Sequence, residues 1–323
     1  MKFLQLSQSY SFSFVSSIES QFPHIIGYIY CLLANLCSSF RNMFVRKAHD
    51  VPHFQLFYLR VLSLTIILYF IHKCQKQPMI TKSSRINAML IFIGVMSLLS
   101  GSSNFYGFQM IPLNEASVIF QTQPAIQSVL AALFLKEVYD FTQFLSTLFC
   151  TIGVLLVVKP DFIFGGGLAP LEDESNRIKG TVSLLFSAVV AGFQSITIKK
   201  TVAHVSSNLS VFYIGMIPAV LGSFLILTEG IKEMTYDEWV MMTGIILLGF
   251  LAQILYNRGY TFGDAGKIAV MGYSQIIFGY ILDIWLLGTV PDFYSIIGSV
   301  FIFCCMFLRI YQTWKNTKRK TGT

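Results

Sequence analysis

Residues 110–160 read MIPLNEASVIFQTQPAIQSVLAALFLKEVYDFTQFLSTLFCTIGVLLVVKP. Two apolar runs, Ala116 to Leu135 and Phe141 to Val158, flank a charged turn of Lys136, Glu137 and Asp140. Each run has roughly the length that carries a helix across ~30 Å of hydrocarbon, so the stretch predicts a membrane helical hairpin. The first arm is two-sided. At about 100° per residue, Ser117, Gln121, Pro124 and Ser128 share a side, with Gln127 beside them and Gln123 at the margin. Val118, Ile126, Val129, Leu130 and Leu133 cover the other side. An unpaired amide in hydrocarbon costs several kcal/mol, so the polar side must face protein or a watery cavity.

The rest of the chain has the same character. It is 54% hydrophobic and only 12% charged, with 30 phenylalanines and a mean hydropathy of +0.64, which fits a polytopic membrane protein and excludes an ordinary soluble domain. The net charge of +7 lies between apolar runs and at the C-terminus, without aromatic–basic interleaving, so it predicts topology and no nucleic-acid partner. Cys31, Cys37, Cys150, Cys304 and Cys305 fall within apolar runs and Cys74 just outside one. No C-x-x-C or Cys/His cluster occurs, so neither a disulfide framework nor a metal site is expected. Cys74 is placed where acylation occurs.

Ten spans follow: Ile25 to Phe44, Phe54 to His72, Asn87 to Phe108, Ala116 to Leu135, Phe141 to Val158, Thr181 to Ile198, Leu209 to Leu227, Trp239 to Tyr256, Ile268 to Leu287 and Phe293 to Tyr311. Residues 1–24 lack the apolar core of a cleaved signal and read as a cytosolic tail. Residues 25–160 form a first five-span unit, 161–180 a linker rich in Gly and acids on the non-cytosolic side, 181–311 a second unit, and 312–323 a basic cytosolic tail. The orientation follows from Lys73, Lys76, Lys82, Arg85, Lys199, Lys200 and the C-terminal lysines, which then lie in the cytosol. The one sequon, Asn208-Leu209-Ser210, falls in a cytosolic turn, so a glycan on Asn208 would reverse this orientation.

The halves are related at an offset of about 150 residues, which sets Asn114-Glu115-Ala116-Ser117 against Asp264-Ala265-Gly266-Lys267. With five spans in each, the second unit enters the membrane from the opposite side. The expected fold is an all-α integral membrane protein of ten helices in two inverted five-helix repeats, with a binding site near the midplane between them.

The tract NFYGFQMIPLNEASVI from Asn104 to Ile119, followed by Pro124, Leu135-Lys136-Glu137, GVLLVVKP from Gly153 to Pro160 and DFIFG from Asp161 to Gly165, resembles the EamA module of the drug/metabolite transporter superfamily. Within it, the nearest likeness is to solute carrier family 35, subfamily G. Arg60 fits the second span of such modules. The second half matches more loosely: Leu287 stands where Glu137 would repeat, and Gly298 aligns with Ser146 only after an insertion of two residues. The resemblance implies a ten-helix carrier that moves small organic solutes by alternating access through a central cavity. It leaves the solute open, because fold analogy does not fix a substrate.

Polar residues inside the spans are the site candidates. Gly94, Ser97, Gly101 and Asn104 share a side of the third span, Gln194 interrupts the sixth, and Gln253 and Asn257 lie one turn apart in the eighth. With Gln121 and Gln123 they are candidate solute ligands; equally, small residues let helices approach and amides bond across them. In the ninth span Gly272, Gln275, Gly279 and Asp283 face away from Val270, Ile277, Ile281 and Ile284. Gln275 is a further ligand candidate. Asp283 is a candidate for ion coupling or charge pairing, or reaches surface water near its span end. Arg60, and Arg41 near an end of the first span, either attract an anionic solute or serve as structural cations. Lys267 heads the ninth span as a gate residue or as one more cytosolic charge.

No phosphate-loop, zinc-protease or serine-hydrolase motif occurs, so neither ATP drive nor an enzyme is expected, and no cofactor. The expected function is secondary transport or facilitation of a small organic solute in the plasma membrane or endoplasmic reticulum, with the bilayer and the solute as partners and a homodimer as an open assembly. The alternatives are a nucleotide-sugar or phosphorylated-metabolite antiporter of the Golgi or endoplasmic reticulum, and a membrane scaffold or receptor that has lost transport.

Overall fold

The computed structural model describes residues 23–48, 50–76, 78–110, 116, 119–137, 141–158, 174–229, 231–287 and 293–321. Those residues form helices and turns with no strand. In chain order the helices are α1 (Pro23–Lys47), α2 (His53–Cys74), α3 (Ser84–Met110), α4 (Gln123–Leu135), α5 (Phe141–Val158), α6 (Glu174–Val202), α7 (Ser207–Glu229), α8 (Tyr236–Phe262), α9 (Ala265–Met271), α10 (Ser274–Leu287) and α11 (Phe293–Thr321). The linker assigned to residues 161–180 lies mostly outside the described residues, as does most of the N-terminal tail.

Stretches in five of these helices, Phe54–Cys74, Ser84–Gly107, Ile178–Val202, Ser207–Phe224 and Tyr236–Phe262, are long and apolar enough to cross a bilayer. Large apolar side chains cover the outside: Phe70, Leu133, Phe141, Phe224, Trp285 and Phe307 are all exposed. In water this would be a severe liability, but in lipid it costs nothing, since tails and side chains are alike apolar. The protein is an integral membrane protein.

The helix pairings keep their pattern when the halves are exchanged. α1 packs along α8 as α3 packs along α6; α4 lies on α6 as α10 lies on α1; α2 pairs with α7, and α5 with α11. Because apolar side chains gain little from leaving lipid, such pairs depend on close fit and on hydrogen bonds. The α1–α8 seam shows the close fit. A Cβ on Gly27 would lie 3.1 Å from the Gly259 carbonyl oxygen, and one on Gly259 would lie 3.1 Å from the Gly27 oxygen and 2.6 Å from Cys31 Sγ. Gly259→Leu is therefore expected to force the helices apart, at the ~1–3 kcal/mol typical of overpacking. A lowered thermal midpoint of the purified variant would show it, and an unchanged one would contradict the seam. The α3–α6 seam uses hydrogen bonds instead, with Ser187 Oγ donating to the Ser100 carbonyl at 2.8 Å and Ser183 Oγ to that of Ser103 at 2.9 Å.

Two expected spans are not continuous helices. In the fourth, Gln121 and Thr122 form a turn between Ile119-Phe120 and α4. The cause is Pro124 at the start of α4: it has no N–H to bond the carbonyl of residue 120, and its ring crowds that carbonyl. In the ninth, helix begins at Ala265, ahead of the expected start at Ile268, and stops at Met271. It turns through Gly272 and Tyr273 and resumes at Ser274. The N–H groups across this turn bond three residues back, Gly272 to the Ala269 carbonyl at 2.9 Å and Gln275 to that of Gly272 at 3.2 Å. That is a tightened, 3₁₀-type turn between α9 and α10.

Candidate solute-binding site

The two breaks meet. A Cβ on Gly272 would lie 3.2 Å from Cγ of Pro124 and 3.0 Å from the Ala269 carbonyl oxygen, so the proline ring that ends one helix sits against the glycine that ends the other. A Cβ there would require its neighbours to give by a few tenths of an ångström, so glycine suits that approach.

Around the crossing lies a partly open cavity of about 210 Å³. Gln121, Gln123 and Pro124 line it from the first break, and Gly272 and Gln275 from the second. α1 adds Asn35, Ser38 and Arg41, and α8 adds Ala252, Gln253 and Tyr256. The lining is mostly amide and hydroxyl, with one guanidinium, in a protein whose outer surface is apolar. Such a chamber can hydrogen-bond a polar solute on several sides.

Broken helices leave backbone groups to satisfy, and side chains from neighbouring helices do so. Asn35 Nδ2 donates to the Met271 carbonyl at 2.7 Å and to Ser274 Oγ at 3.0 Å, while Ser39 Oγ donates to the Gln275 carbonyl at 2.9 Å. α1 thus bonds carbonyl groups at the second break. Beneath the crossing, Gln127 Nε2 donates to Tyr260 Oη and to the Ala265 carbonyl, both at 2.9 Å, and Ser128 Oγ donates to the Gly266 carbonyl at 3.2 Å. Tyr256 and Tyr260 meet edge to face at 5.1 Å. Six of the seven residues of α9 are buried, so a packed layer lies between the cavity and the far end of α9.

That end is held by a carboxylate. Lys136 ends α4 in the left-handed conformation, φ 55°, and turns the chain so that Glu137 points at the start of α9. Glu137 Oε1 accepts from Ala265 N–H and Oε2 from Gly266 N–H, each at 2.8 Å, at the positive end of the helix. Lys199 Nζ donates to the carbonyls of Tyr260 and Gly263 at 2.8 and 2.7 Å, capping the end of α8. Lys267 pairs with Asp264 at 2.7 Å on the surface of the same cluster.

Burial pushes the Glu137 carboxyl above its ordinary range; the Gly266 and Ala265 N–H bonds pull it down, Asp264 pushes it up, and Lys199 pulls it down. With the folded value raised, the chain takes up this proton at a higher pH folded than unfolded. The associated stability is present below the ordinary glutamate value, about pH 4, and is lost as pH rises through the raised one. Glu137→Gln is expected to flatten the thermal midpoint against pH across that window. An unaltered slope would contradict this account of the carboxylate.

Of the residues singled out in the sequence, Gln121, Gln123, Gln253 and Gln275 come together around the cavity. Asn257 lies one turn beyond Gln253, fully buried, with neither side-chain atom partnered among the described residues. Asn104, whose amide nitrogen is buried without a described partner, and half-buried Gln194 are not among the described lining residues. The small residues near Asn104 pack helices: a Cβ on Gly94 would meet Ile217 of α7 at 2.5 Å, and one on Gly101 would meet Phe57 of α2 at 2.5 Å. Asp283 is on α10, eight residues and so about 12 Å beyond Gln275; its side chain lies outside the described residues. Arg60 of α2 sits beside Arg41, their Cδ atoms 3.2 and 3.4 Å from a Cβ built on Gly249. Asn35, Ser38 and Tyr256 were not anticipated. The signal for the first two was Asn35, Ser38, Ser39 and Asn42 recurring on one face of an apolar run.

The EamA-like transporter family profile matches the chain twice, at residues 25–159 and 178–311. Solute carrier family 35 member G1 of Homo sapiens is 27% identical over 298 residues, covering 91% of this chain and 81% of that protein. Its Mus musculus counterpart is 30% identical over 282 residues, covering 85% and 75%. The pseudopaline exporter CntI of Pseudomonas aeruginosa is 27% identical over 279 residues, covering 85% and 93%. A solved crystal structure superposes with a TM-score of 0.73 over 92% of this chain and 99% of its own, and at 14% identity that likeness concerns the fold alone.

Proposed function

We propose, from the premise that the chain belongs to the EamA-like transporter family, that it carries a small polar organic solute across its membrane by alternating access. The single observation that supports this best is the polar cavity at the crossing of two broken helices, one from each matched segment, at Pro124 and Gly272. Discontinuous helices at corresponding places in two repeats are how carriers place polar backbone and side chains at mid-membrane.

In this reading the ten spans form two inverted units, residues 25–160 and 181–311, joined by residues 161–180, with α9 and α10 together making the ninth span and both termini in the cytosol. Gln121, Gln123, Gln253 and Gln275 bind the solute; Asn104, Gln194 and Asn257 stand behind them as ligands in other states of the cycle. The Glu137 clamp on α9 closes the cytosolic side, so breaking it and swinging α9 from α4 opens the cavity inward. Asp283, nearer the other end of α10, serves coupling or charge pairing. The plasma membrane and the endoplasmic reticulum are the membranes in which we place it.

The reading is tested by reconstituting the purified full chain in liposomes and measuring uptake of a metabolite panel with and without a proton gradient. Uptake of at least one member above empty liposomes, reduced by Gln253→Leu, is expected. Complete absence of uptake, with a protein partner as the only measurable ligand, would replace transport by a scaffold role.

A further inference from the structure

We propose that the solute is an organic anion, bound through a carboxylate or phosphate group by Arg41 and Arg60; the inference rests on the transport reading above and adds the charge of the cargo. Arg41, from α1, lines the cavity directly. Arg60, from α2, reaches the same place, because both stems converge on Gly249 of α8. Gly249 lies one helical turn from Gln253, which lines the cavity. Two cations are thus brought together beside an amide-lined chamber inside a membrane protein.

Neither forms an ion pair among the described residues. Among the described residues Arg41 donates to a neutral oxygen, Asn42 Oδ1, at 3.0 Å through its Nη2 and 3.3 Å through Nε. Three described carboxylates are engaged elsewhere: Glu238 with Lys232 and Thr235, Glu137 with the start of α9, Asp264 with Lys267. Asp283 follows Gln275 by eight residues on α10, and its side chain lies outside the described residues.

Two cationic side chains whose stems converge beside a cavity within a membrane protein repel each other, and negative charge relieves that repulsion. An anion in the cavity supplies it, with the planar forks of arginine matched to either a carboxylate or a phosphate. The glutamine amides then bond the uncharged remainder of the solute. A cationic solute would meet the arginines with like charge, and a neutral one would leave their repulsion in place.

The test uses the full chain in liposomes and labelled pairs that differ chiefly in charge: glutamate with glutamine, succinate with succinamide, glycerol 3-phosphate with glycerol, and choline as a cation. Uptake confined to anionic members is expected; which anion moves distinguishes carboxylate from phosphate recognition. Arg60→Gln and Arg41→Gln should each raise the KM for that anion at least tenfold, with Arg60→Lys intermediate because it keeps the charge but not the fork. Since charge preference is read on the unaltered protein, the inference stays testable if a variant misfolds. Uptake of neutral or cationic members in preference to anions overturns the anion assignment and leaves transport standing. No uptake of any pair member or choline overturns the anion assignment as well, and transport itself falls only if the full metabolite panel also fails.

Discussion

Gly272→Val is expected to abolish uptake and to lower the thermal midpoint of the purified protein. The first added carbon would already lie 3.0 Å from the Ala269 carbonyl oxygen and 3.2 Å from the Pro124 ring, and valine adds two more carbons to the same gap. Overpacking of this kind costs ~1–3 kcal/mol when neighbours yield. Here one neighbour is backbone and the other is a ring tied to a helix start, so the yielding must come from moving α4 off α9. The cavity is built on that crossing, so its shape goes with it. Gly272→Ala should retain part of the activity, because a single carbon demands a shift of only a few tenths of an ångström. Full uptake by the valine variant would mean that the breaks do not shape the site.

Gln127→Leu should be nearly as damaging, through a different link. Gln127 is fully buried and its amide nitrogen joins Tyr260 Oη to the Ala265 carbonyl, so one side chain ties α4, α8 and α9 together under the cavity. Leucine fills similar space and supplies no donor. Removing one partner from a buried hydrogen bond costs ~1–3 kcal/mol, and a destabilised layer beneath the site should let solute leak. We expect a lower thermal midpoint together with faster passive efflux from loaded liposomes. An unchanged midpoint would show that Tyr260 and Ala265 find other partners.

The polar face of the fourth span told in advance that something other than lipid lies beside it, because glutamines in an apolar run must be satisfied. That requirement is physical and local, and it led to Gln121, Gln123, Gln253 and Gln275. The break at Pro124 was also legible in principle, since a proline within a helix always frees a carbonyl; read as one run, the span looked continuous because its hydropathy is. The break at Gly272 was not legible, because glycine is common in membrane helices and this one acts only through its contact with a proline about 150 residues away. Asn35 acts on the carbonyl of Met271, 236 residues distant, and no local pattern in the chain states that partnership. The same distance hid Glu137, which looked like part of a charged turn and serves as the clamp on α9. Conversely, Gly94 and Gly101 shared a face with Asn104 for the sake of packing against α7 and α2. Small residues carry no signature that separates a cavity wall from a helix seam.

One cysteine placed at the helix crossing decides whether solute passes through the cavity there. The six native cysteines are replaced and Gln275→Cys is introduced. The protein is reconstituted, and a small charged thiol reagent is applied before uptake is measured. Modification is expected to block uptake, and transported solute to protect the cysteine from the reagent. Undiminished uptake after complete modification, established by mass spectrometry, would contradict it.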